Sequence, residues 1–394
     1  MIAEHTKPIK LAKLISEAIR SVVGSDYLPL HEPEFTGNES KYLEDCLQST
    51  QVSGNGPYVS KFETAISDFT KSNYAVATVN GTSSLHIGLL LAGVLPGEEV
   101  LVPAATFAAT ANAIIYCGAI PHFVDSNLST LGIDAGKLED YLITSTEFKA
   151  GVTINKVTGR VIRAILPVHI FGHASDMPEL LAIASRFNLT IVEDAAESLG
   201  SYYGDKHTGT FSDIGCLSFN GNKIITTGGG GAILLKSSEL ADKARHLVNT
   251  ARINGILPYT HDQVGYNYRM PDINAAVGLA QMEQLPSKIQ RKRLLARSYQ
   301  TAFKEIAQVE LFLEPHKRTS NYWLQTLILQ SPSEGLLEEL IKELNNMSIM
   351  VRPLWKPLHL LNHFNMHPRM DLSGSLQISS RVLNLPSSPQ LVEK

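Results

Sequence analysis

The feature that most constrains this chain is a rhythm. Between about Ala75 and Lys236, short runs rich in β-branched residues alternate with stretches of helical periodicity. That is the signature of βαβ units and of a mostly parallel sheet with helices on both faces. YAVATV (Tyr74 to Val79), VLVP (Val100 to Pro103), HFVD (His122 to Asp125), VIRAILPVHI (Val161 to Ile170), TIVED (Thr190 to Asp194), Ile214 to Phe219 and Gly231 to Leu235 read as strands. SSLHIGLLLAGVL, ATANAIIYC and DMPELLAIASRFN read as the helices between them, the last opened by Asp176 as an acidic N-cap. The stretch from Asp125 to about Gly159 reads as less regular.

The rhythm stops after about Asp262. Helical periodicity runs from Pro271 to about Phe303, followed by a strand (NYWLQTLIL), a helix with Leu336, Leu337, Leu340, Ile341 and Leu344 on one face, and a strand (IMVRPLW). At the other end, Leu11, Leu14, Ile15, Ala18, Ile19 and Val22 recur at helical spacing, so an amphipathic helix is expected to pack on the body or on a partner subunit. The expected division is residues 1–35 as N-terminal helix and arm, 36–265 as a large α/β domain with about seven strands, and 266–394 as a linking helix and small α+β domain.

Composition removes whole classes of function. Thirty-four Lys and Arg against 38 Asp and Glu give a net charge of -4, so no basic excess draws the chain to nucleic acid or an anionic membrane. Cys46, Cys117 and Cys216 form no CxxC pair, which argues against a disulfide framework or a cysteine zinc site and suits a reducing cytoplasm. No HExxH or EF-hand pattern occurs, and no metal is expected. The most apolar stretch, Val100 to Ala119, is interrupted by Pro103, Thr106, Thr110 and Asn112 and reads as buried strand and helix rather than a membrane span. Lys and Glu inside the first apolar pattern also argue against a signal peptide.

Three pieces sit at the carboxyl ends of expected strands, where open α/β sheets place their ligands. Asn80-Gly81-Thr82-Ser83-Ser84 is a strand-to-helix turn whose free amides, with the positive end of the helix dipole, suit a phosphate; its bland alternative is a simple helix cap. Glu193-Asp194-Ala195-Ala196-Glu197 places a carboxylate after an apolar strand, where burial demands a cationic partner; a structural ion pair would satisfy it equally. Ser218-Phe219-Asn220-Gly221-Asn222-Lys223, followed closely by Gly228 to Gly231, puts a lysine on a tight turn before a glycine run. A desolvated lysine supplies the free amine that condenses with an aldehyde. In combination, a phosphate turn, a buried acid and a loop lysine are what pyridoxal 5'-phosphate requires: a seat for the phosphate, a partner for the ring nitrogen and an amine for the aldehyde.

VNGTSSLHIGLL, EVLVPAATFAATANAI, LPVHIFGHASDM, IVEDAAESLGSYY, DIGCLSFNGNKIITTGGGGAI, VGYNYRMPDINAAVGLAQ and LNLPSS together resemble the DegT/StrS-type sugar-nucleotide aminotransferases, of fold type I. The resemblance implies Lys223 as the Schiff-base lysine and Asp194 as partner of the pyridine nitrogen. Gly81, Thr82, Ser83 and Ser218 would hold the phosphate, Phe107 would stack on the ring, and Glu197 would lie near the cofactor's 3' oxygen, or be protonated, or pair elsewhere. Asn267 and Arg269 would reach the cofactor phosphate of a neighbouring subunit, making a homodimer with shared sites. L-glutamate would be the donor, with Lys223 also moving the proton between substrate α-carbon and cofactor C4'. TGNESKYLEDCLQSTQVSGNGPYVSKFE and RPLWKPLH look most similar to the branch that aminates UDP-4-keto-6-deoxy-N-acetylhexosamines for bacterial surface glycans. The alternatives are a GDP- or dTDP-4-keto-6-deoxyhexose aminotransferase of the perosamine type, or a cofactor-bound regulator without turnover. His169 is expected either as a substrate contact or as a hydrogen-bonded core histidine. Arg352, Trp355, Lys356 and His359 would grip the sugar nucleotide, or else Trp355 closes the small domain's core and the charges are solvated.

Overall fold

The computed structural model describes residues 2–24, 26–253 and 260–392. Helix α1 (Ile2–Val23) leads into an extended arm, then α2 (Glu39–Gln48) and α3 (Pro57–Thr70). The alternation follows: β1 (Tyr74–Thr78), α4 (Gly81–Leu91), β2 (Glu99–Pro103), α5 (Ala108–Tyr116), β3 (Ile120–Val124), α6 (Ala135–Ser145), β4 (Thr146–Lys149), β5 (Val152–Asn155), β6 (Val161–Ile165), α7 (Met177–Arg186), β7 (Thr190–Asp194), the short β8 (Tyr202–Tyr203) and β9 (Lys206–His207), β10 (Ile214–Ser218) and β11 (Gly231–Leu235).

In space the principal strands lie in the order β1-β11-β10-β7-β6-β2-β3. Pairings from β10 across to β3 are parallel, while β11 is antiparallel to both β10 and β1. β11 is therefore the one reversed strand of this path, and the carboxyl ends of β1, β10 and β7 open on the same edge. Burial on both faces explains the continuous apolar strands: every residue of β2 and β11 is buried. Glu99, which begins β2, is tolerated because His122, Asn155 and Thr158 hydrogen-bond its carboxylate at 2.8, 2.9 and 2.6 Å.

Three local expectations are corrected. The stretch before Gly159 is regular: the Asp134 carboxylate caps α6 by accepting from the Lys137 amide at 3.0 Å, and β4 and β5 form a hairpin turned through Ala150 and Gly151, both at positive φ. The strand begun at Val161 ends at Ile165, because Pro167 brings no amide proton and Phe171 turns the chain at φ 54°. Asp176 stands before α7 without capping it; its carboxylate pairs with Arg318 instead.

After α8 (Ser238–Val248), the long α9 (Asp272–Phe303) packs along α1, α2 and α3. β12 (Val309–Leu311), β13 (Arg318–Thr319), β14 (Gln325–Leu329), α10 (Leu336–Asn346), β15 (Arg352–Pro353), α11 (Ser373–Ser379) and β16 (Val382–Leu385) complete the chain. A second, antiparallel sheet has the order β12-β14-β16-β15. Leu337, Leu340 and Leu344 of α10 share one core with Leu11, Ile15 and Ile19 of α1 and with Leu327, Leu329, Leu383 and Leu385, so α1 does pack on the body. Leu336 and Ile341 only border that core.

The arm after α1 is stitched to Met350, Ser387 and Ser388. The Met350 amide donates to the Leu28 carbonyl at 2.8 Å, the Ser387 amide to the Leu30 carbonyl at 2.7 Å, and the Glu32 amide to Ser388 Oγ at 2.8 Å. Beneath it, the fully buried Lys292 ammonium donates to the carbonyls of Trp323 and Ser387. Among the described residues no helix is long and apolar enough to cross a membrane.

Candidate active site

Lys223 owes its position to the connection between β10 and the reversed β11. The Phe219 amide donates to the Gly230 carbonyl at 2.8 Å, and the Thr227 amide to the Phe219 carbonyl at 3.0 Å, which pinches the loop at its base. Asn274 of α9 donates to the Thr227 carbonyl at 2.7 Å from outside. Within the loop, the Lys223 amide closes a turn on the Asn220 carbonyl at 3.0 Å. The lysine side chain is 13% exposed, too enclosed for an ordinary solvated charge. Its Nζ lies 3.3 Å from Glu197 Oε1 and 3.9 Å from the centroid of the Trp323 ring. The Trp323 indole Nε1 in turn donates to the Asn222 carbonyl at 2.6 Å, so one side chain both floors the amine and holds its loop.

The acidic pair at the end of β7 divides between two tasks because successive side chains on a strand face opposite ways. Glu193 Oε1 and Oε2 are saturated by the Ser212 amide (2.6 Å), the Ser212 hydroxyl (2.9 Å), the Gly209 amide (2.7 Å) and His169 Nε2 (3.1 Å). It is the structural carboxylate. Asp194, 4% exposed, has among the described residues only Thr110 Oγ1 at 2.8 Å on Oδ2 and the Ala196 amide at 3.2 Å on Oδ1. Burial pushes its carboxyl above the usual aspartate range, opposed by the Thr110 bond and the charge of Lys223. A carboxylate in that state gains from a cation placed against it.

The turn after β1 is built for close approach. Asn80 caps α4 with its side chain, accepting from the Ser83 amide at 2.8 Å. The amides of Gly81 and Thr82 belong to the first turn, which has no carbonyls one turn earlier to bond. A Cβ on Gly81 would stand 2.7 Å from Ser218 Cβ, so the end of β10 lies against the turn. A Cβ on Gly231 would stand 2.6 Å from the Asn80 carbonyl, so the glycine run lets β11 pass behind it. The structure thus brings Gly81, Thr82, Ser83 and Ser218 together as one cradle.

Glu197 pairs with Lys223 and accepts from the Phe171 amide at 2.8 Å on its other oxygen; burial raises its carboxyl above the usual range, and the Lys223 charge works against that. Aromatic rings extend the wall: Trp323 to Phe171 at 6.4 Å between centroids, Phe171 to Trp355 at 5.4 Å, Trp355 to Phe107 at 5.7 Å. Phe107, 53% exposed at the head of α5, ends this row one turn before Thr110. Trp355 therefore joins the wall rather than only closing the second sheet's core.

Other anticipated residues fall elsewhere. His169 is fully buried, with Nδ1 accepting from the Ser175 amide at 3.1 Å and Nε2 directed to Glu193, so it is the hydrogen-bonded core histidine of the two alternatives. Arg352 is exposed on β15, paired along the backbone with Asn384, and Lys356 is exposed. His359 is buried, its basicity lowered by burial and by Arg369. Asn267 is exposed, and Arg269 donates to Asn55 at 2.9 Å while its backbone bridges to Thr78. Trp323, Thr110 and Phe171 were missed by sequence reasoning. Thr110 alone carried a signal, standing one turn into a helix that starts at a ligand-bearing strand end. Among the described residues no three His, Cys, Asp or Glu side chains converge as for a metal.

The donor set fits pyridoxal phosphate on its own terms: an enclosed amine, a buried acid short of a cation and a glycine-lined cradle that a Cβ would fill. Comparison with known proteins fixes the class, a fold-type-I, pyridoxal 5'-phosphate-dependent aminotransferase. Residues 33–394 match the DegT/DnrJ/EryC1/StrS aminotransferase family, and the chain belongs to that family. It is 36% identical over 373 residues to the GDP-perosamine synthase of Escherichia coli O157:H7, covering 93% of this chain and 94% of the relative. The GDP-perosamine synthase of Vibrio cholerae is likewise 36% identical, with 93% and 95% covered. Among solved structures, a DegT/DnrJ/EryC1/StrS aminotransferase from Brucella abortus superposes with a TM-score of 0.81 at 29% identity, over 90% of this chain and 91% of that one.

Proposed function

We propose that the protein transfers an amino group from L-glutamate to C4 of a GDP-linked 4-keto-6-deoxy hexose. The observation that carries the transfer is the Lys223 amine, enclosed between the Glu197 carboxylate and the Trp323 ring. Similarity to GDP-perosamine synthases supports the guanosine nucleotide over the UDP-linked N-acetylhexosamine that the sequence motifs put first. The UDP-linked sugar remains the second reading, on TGNESKYLEDCLQSTQVSGNGPYVSKFE and RPLWKPLH.

Pyridoxal phosphate, when bound, supplies an electron sink and carries the amino group between the two substrates. Gly81, Thr82, Ser83 and Ser218 would bind its phosphate, and Asp194 would hold the proton on its ring nitrogen. Phe107 would stack on the ring. Lys223 Nζ anchors the cofactor and then takes the proton from the glutamate α-carbon. Glu197 orients that amine, and the aromatic row from Trp323 to Phe107 keeps water from one side. Asn267 and Arg269, at the β1 edge of the sheet, serve the neighbouring subunit of a homodimer. Three buried free cysteines support a cytoplasmic enzyme.

Incubation with L-glutamate and GDP-, UDP- and dTDP-4-keto-6-deoxy sugars, read by mass, tests the reading. Amination of the GDP sugar with at least tenfold higher kcat/KM is expected; preference for the UDP sugar would return the assignment to the second reading. Lys223→Ala is expected to abolish both turnover and the covalent adduct that borohydride fixes. Mixing Lys223→Ala with Arg269→Ala subunits is expected to restore activity if the site is shared.

A further inference from the structure

Asn321 stands two residues before Trp323 and is fully buried. Its side-chain Nδ2 donates to the carbonyls of Glu197 and Leu199 at 3.0 and 2.9 Å, and its Oδ1 accepts from the Trp323 amide at 2.8 Å. Two carbonyls at one end and an amide at the other leave a single orientation for the side chain. An ionised aspartate offers no donor, serine has one hydroxyl and glutamine is a methylene longer, so the pattern is matched to asparagine.

These bonds join separate parts of the chain. Glu197 and Leu199 lie in the turn after β7, and Trp323 lies just before β14. The bond to the Trp323 amide closes an Asx turn around Tyr322, whose φ is 48°. The Asn321 amide also donates to Ser201 Oγ at 3.0 Å, a second tie to the segment after β7. The Phe171–Gly172 turn is pressed against the same side chain: a Cβ on Gly172, at φ +95, would collide with Asn321 Oδ1 and stand 3.0 Å from the Trp323 nitrogen. That turn delivers the Phe171 amide to Glu197 Oε2 at 2.8 Å. Beyond the tryptophan, Lys292 Nζ holds the Trp323 carbonyl at 3.1 Å.

We propose that Asn321 is a positioning residue for amino transfer, its buried amide setting the gap between Glu197 and Trp323 in which the Lys223 amine works. The proposal rests on the role of Lys223 in the function above. Glu197 Oε1 lies 3.3 Å from Nζ and the Trp323 ring centroid 3.9 Å from it, and Asn321 holds the main chain of both. An amine that takes a proton from carbon must be aimed closely, and a misplacement of about 1 Å costs on the order of 100-fold in rate. Without the amide, the two flanks are free to part while the phosphate cradle at Gly81 and Ser218 stays in place. The effect therefore falls on kcat rather than on KM.

The test compares three variants, as holoenzyme and stripped of cofactor. Asn321→Ala removes every side-chain bond, and Asn321→Ser keeps a hydroxyl that can close the turn more weakly. Asn155→Ala is the control: Asn155 on β5 is also buried, donates to Glu99 at 2.9 Å and accepts from the Val157 amide at 3.0 Å. All three are expected to melt a few degrees lower than the wild type. With glutamate and the 4-keto sugar, kcat is expected to fall roughly 10- to 30-fold in Asn321→Ala and about threefold in Asn321→Ser, with KM for both substrates within about twofold. Asn155→Ala is expected to keep kcat within about twofold. In stripped protein, acetylation of Lys223 by acetic anhydride, read by peptide mass, is expected to quicken about threefold or more in Asn321→Ala and to hold in Asn155→Ala. If Asn321→Ala does not fold, Asn321→Ser carries the comparison. Unchanged kcat and labelling in a folded Asn321 variant, or equal losses in Asn155→Ala, would overturn the proposal. A wild-type enzyme that transfers no amino group would instead overturn the function, while the labelling still decides whether Asn321 encloses Lys223.

Discussion

Trp323, just before β14 of the second sheet, and Lys223, on the β10–β11 loop of the first, meet across the fold: the indole lies 3.9 Å from the ammonium and hydrogen-bonds the carbonyl of the preceding residue, Asn222. The amine is positioned from the C-terminal part of the chain as much as from its own loop.

Removing the indole donor isolates that contribution. Trp323→Phe keeps an aromatic face but leaves the Asn222 carbonyl without its partner, at a cost of about 1–3 kcal/mol. Amide exchange over residues 219–230 is expected to quicken and kcat to fall roughly tenfold. An unchanged exchange rate in that loop would show that the β10–β11 pinch suffices.

Asp194→Asn separates binding from folding. Burial raises the Asp194 carboxyl, so in protein stripped of cofactor the protonated form is favoured, and the stability it provides at low pH is lost as pH rises through the elevated value. At pH 7.5 the stripped variant is expected to melt about 2 °C above the stripped wild type, and the gain should vanish toward pH 4. With cofactor the order reverses, and kcat/KM falls by about 100-fold or more. Calorimetry at the two pH values, with and without cofactor, checks each statement.

Gly81→Ala probes the cradle. The new methyl would meet Ser218 Cβ at 2.7 Å and Oγ at 2.9 Å, so the turn or the end of β10 must move. Cofactor affinity, titrated by absorbance, is expected to drop roughly tenfold, the loss of about one hydrogen bond to a charged group. Gly93→Ala, which meets nothing within 4 Å but sits at φ +77, is the matched control: melting temperature falls and cofactor affinity holds.

His169 is expected to behave as scaffold. His169→Ala leaves the Ser175 amide without its acceptor and Glu193 Oε2 with the Gly209 amide alone, costing about 1–3 kcal/mol of stability. KM for either substrate should stay within about twofold, and a large rise in KM for the sugar would return His169 to the substrate pocket.

The chain displayed the parts of the site more readily than their assembly. TIVED and Gly231 to Leu235 match β7 and β11 residue for residue, because strands buried on both faces are apolar runs bounded here by the acids Glu193 and Asp194 or by Gly231. The acid was legible because it ends a strand, the phosphate turn and the lysine because each follows one closely. β12 and β16 were not recognised, being short and supported by packing against α1 and α9 rather than by local propensity. Trp323 was read as part of a strand, whereas β14 begins only at Gln325 after Tyr322 turns at φ 48°. Nothing local announces that this turn swings an indole under a lysine a hundred positions earlier. The helix and arm were foreseen as a packed N-terminal element, but their anchorage at Ser387 and Ser388 depends on pairings no linear pattern reveals.

That anchorage carries a consequence for synthesis. The Lys292 ammonium donates to the Ser387 carbonyl, and the arm is sewn to Ser387 and Ser388. A nascent chain can pair β1 through β11 while still tethered to the ribosome, but the arm finds its partners only after Ser387 and Ser388 have emerged. A chain lacking Ser387 and Ser388 would thus form its main sheet while the Leu30 carbonyl, the Glu32 amide and the buried Lys292 lose these partners.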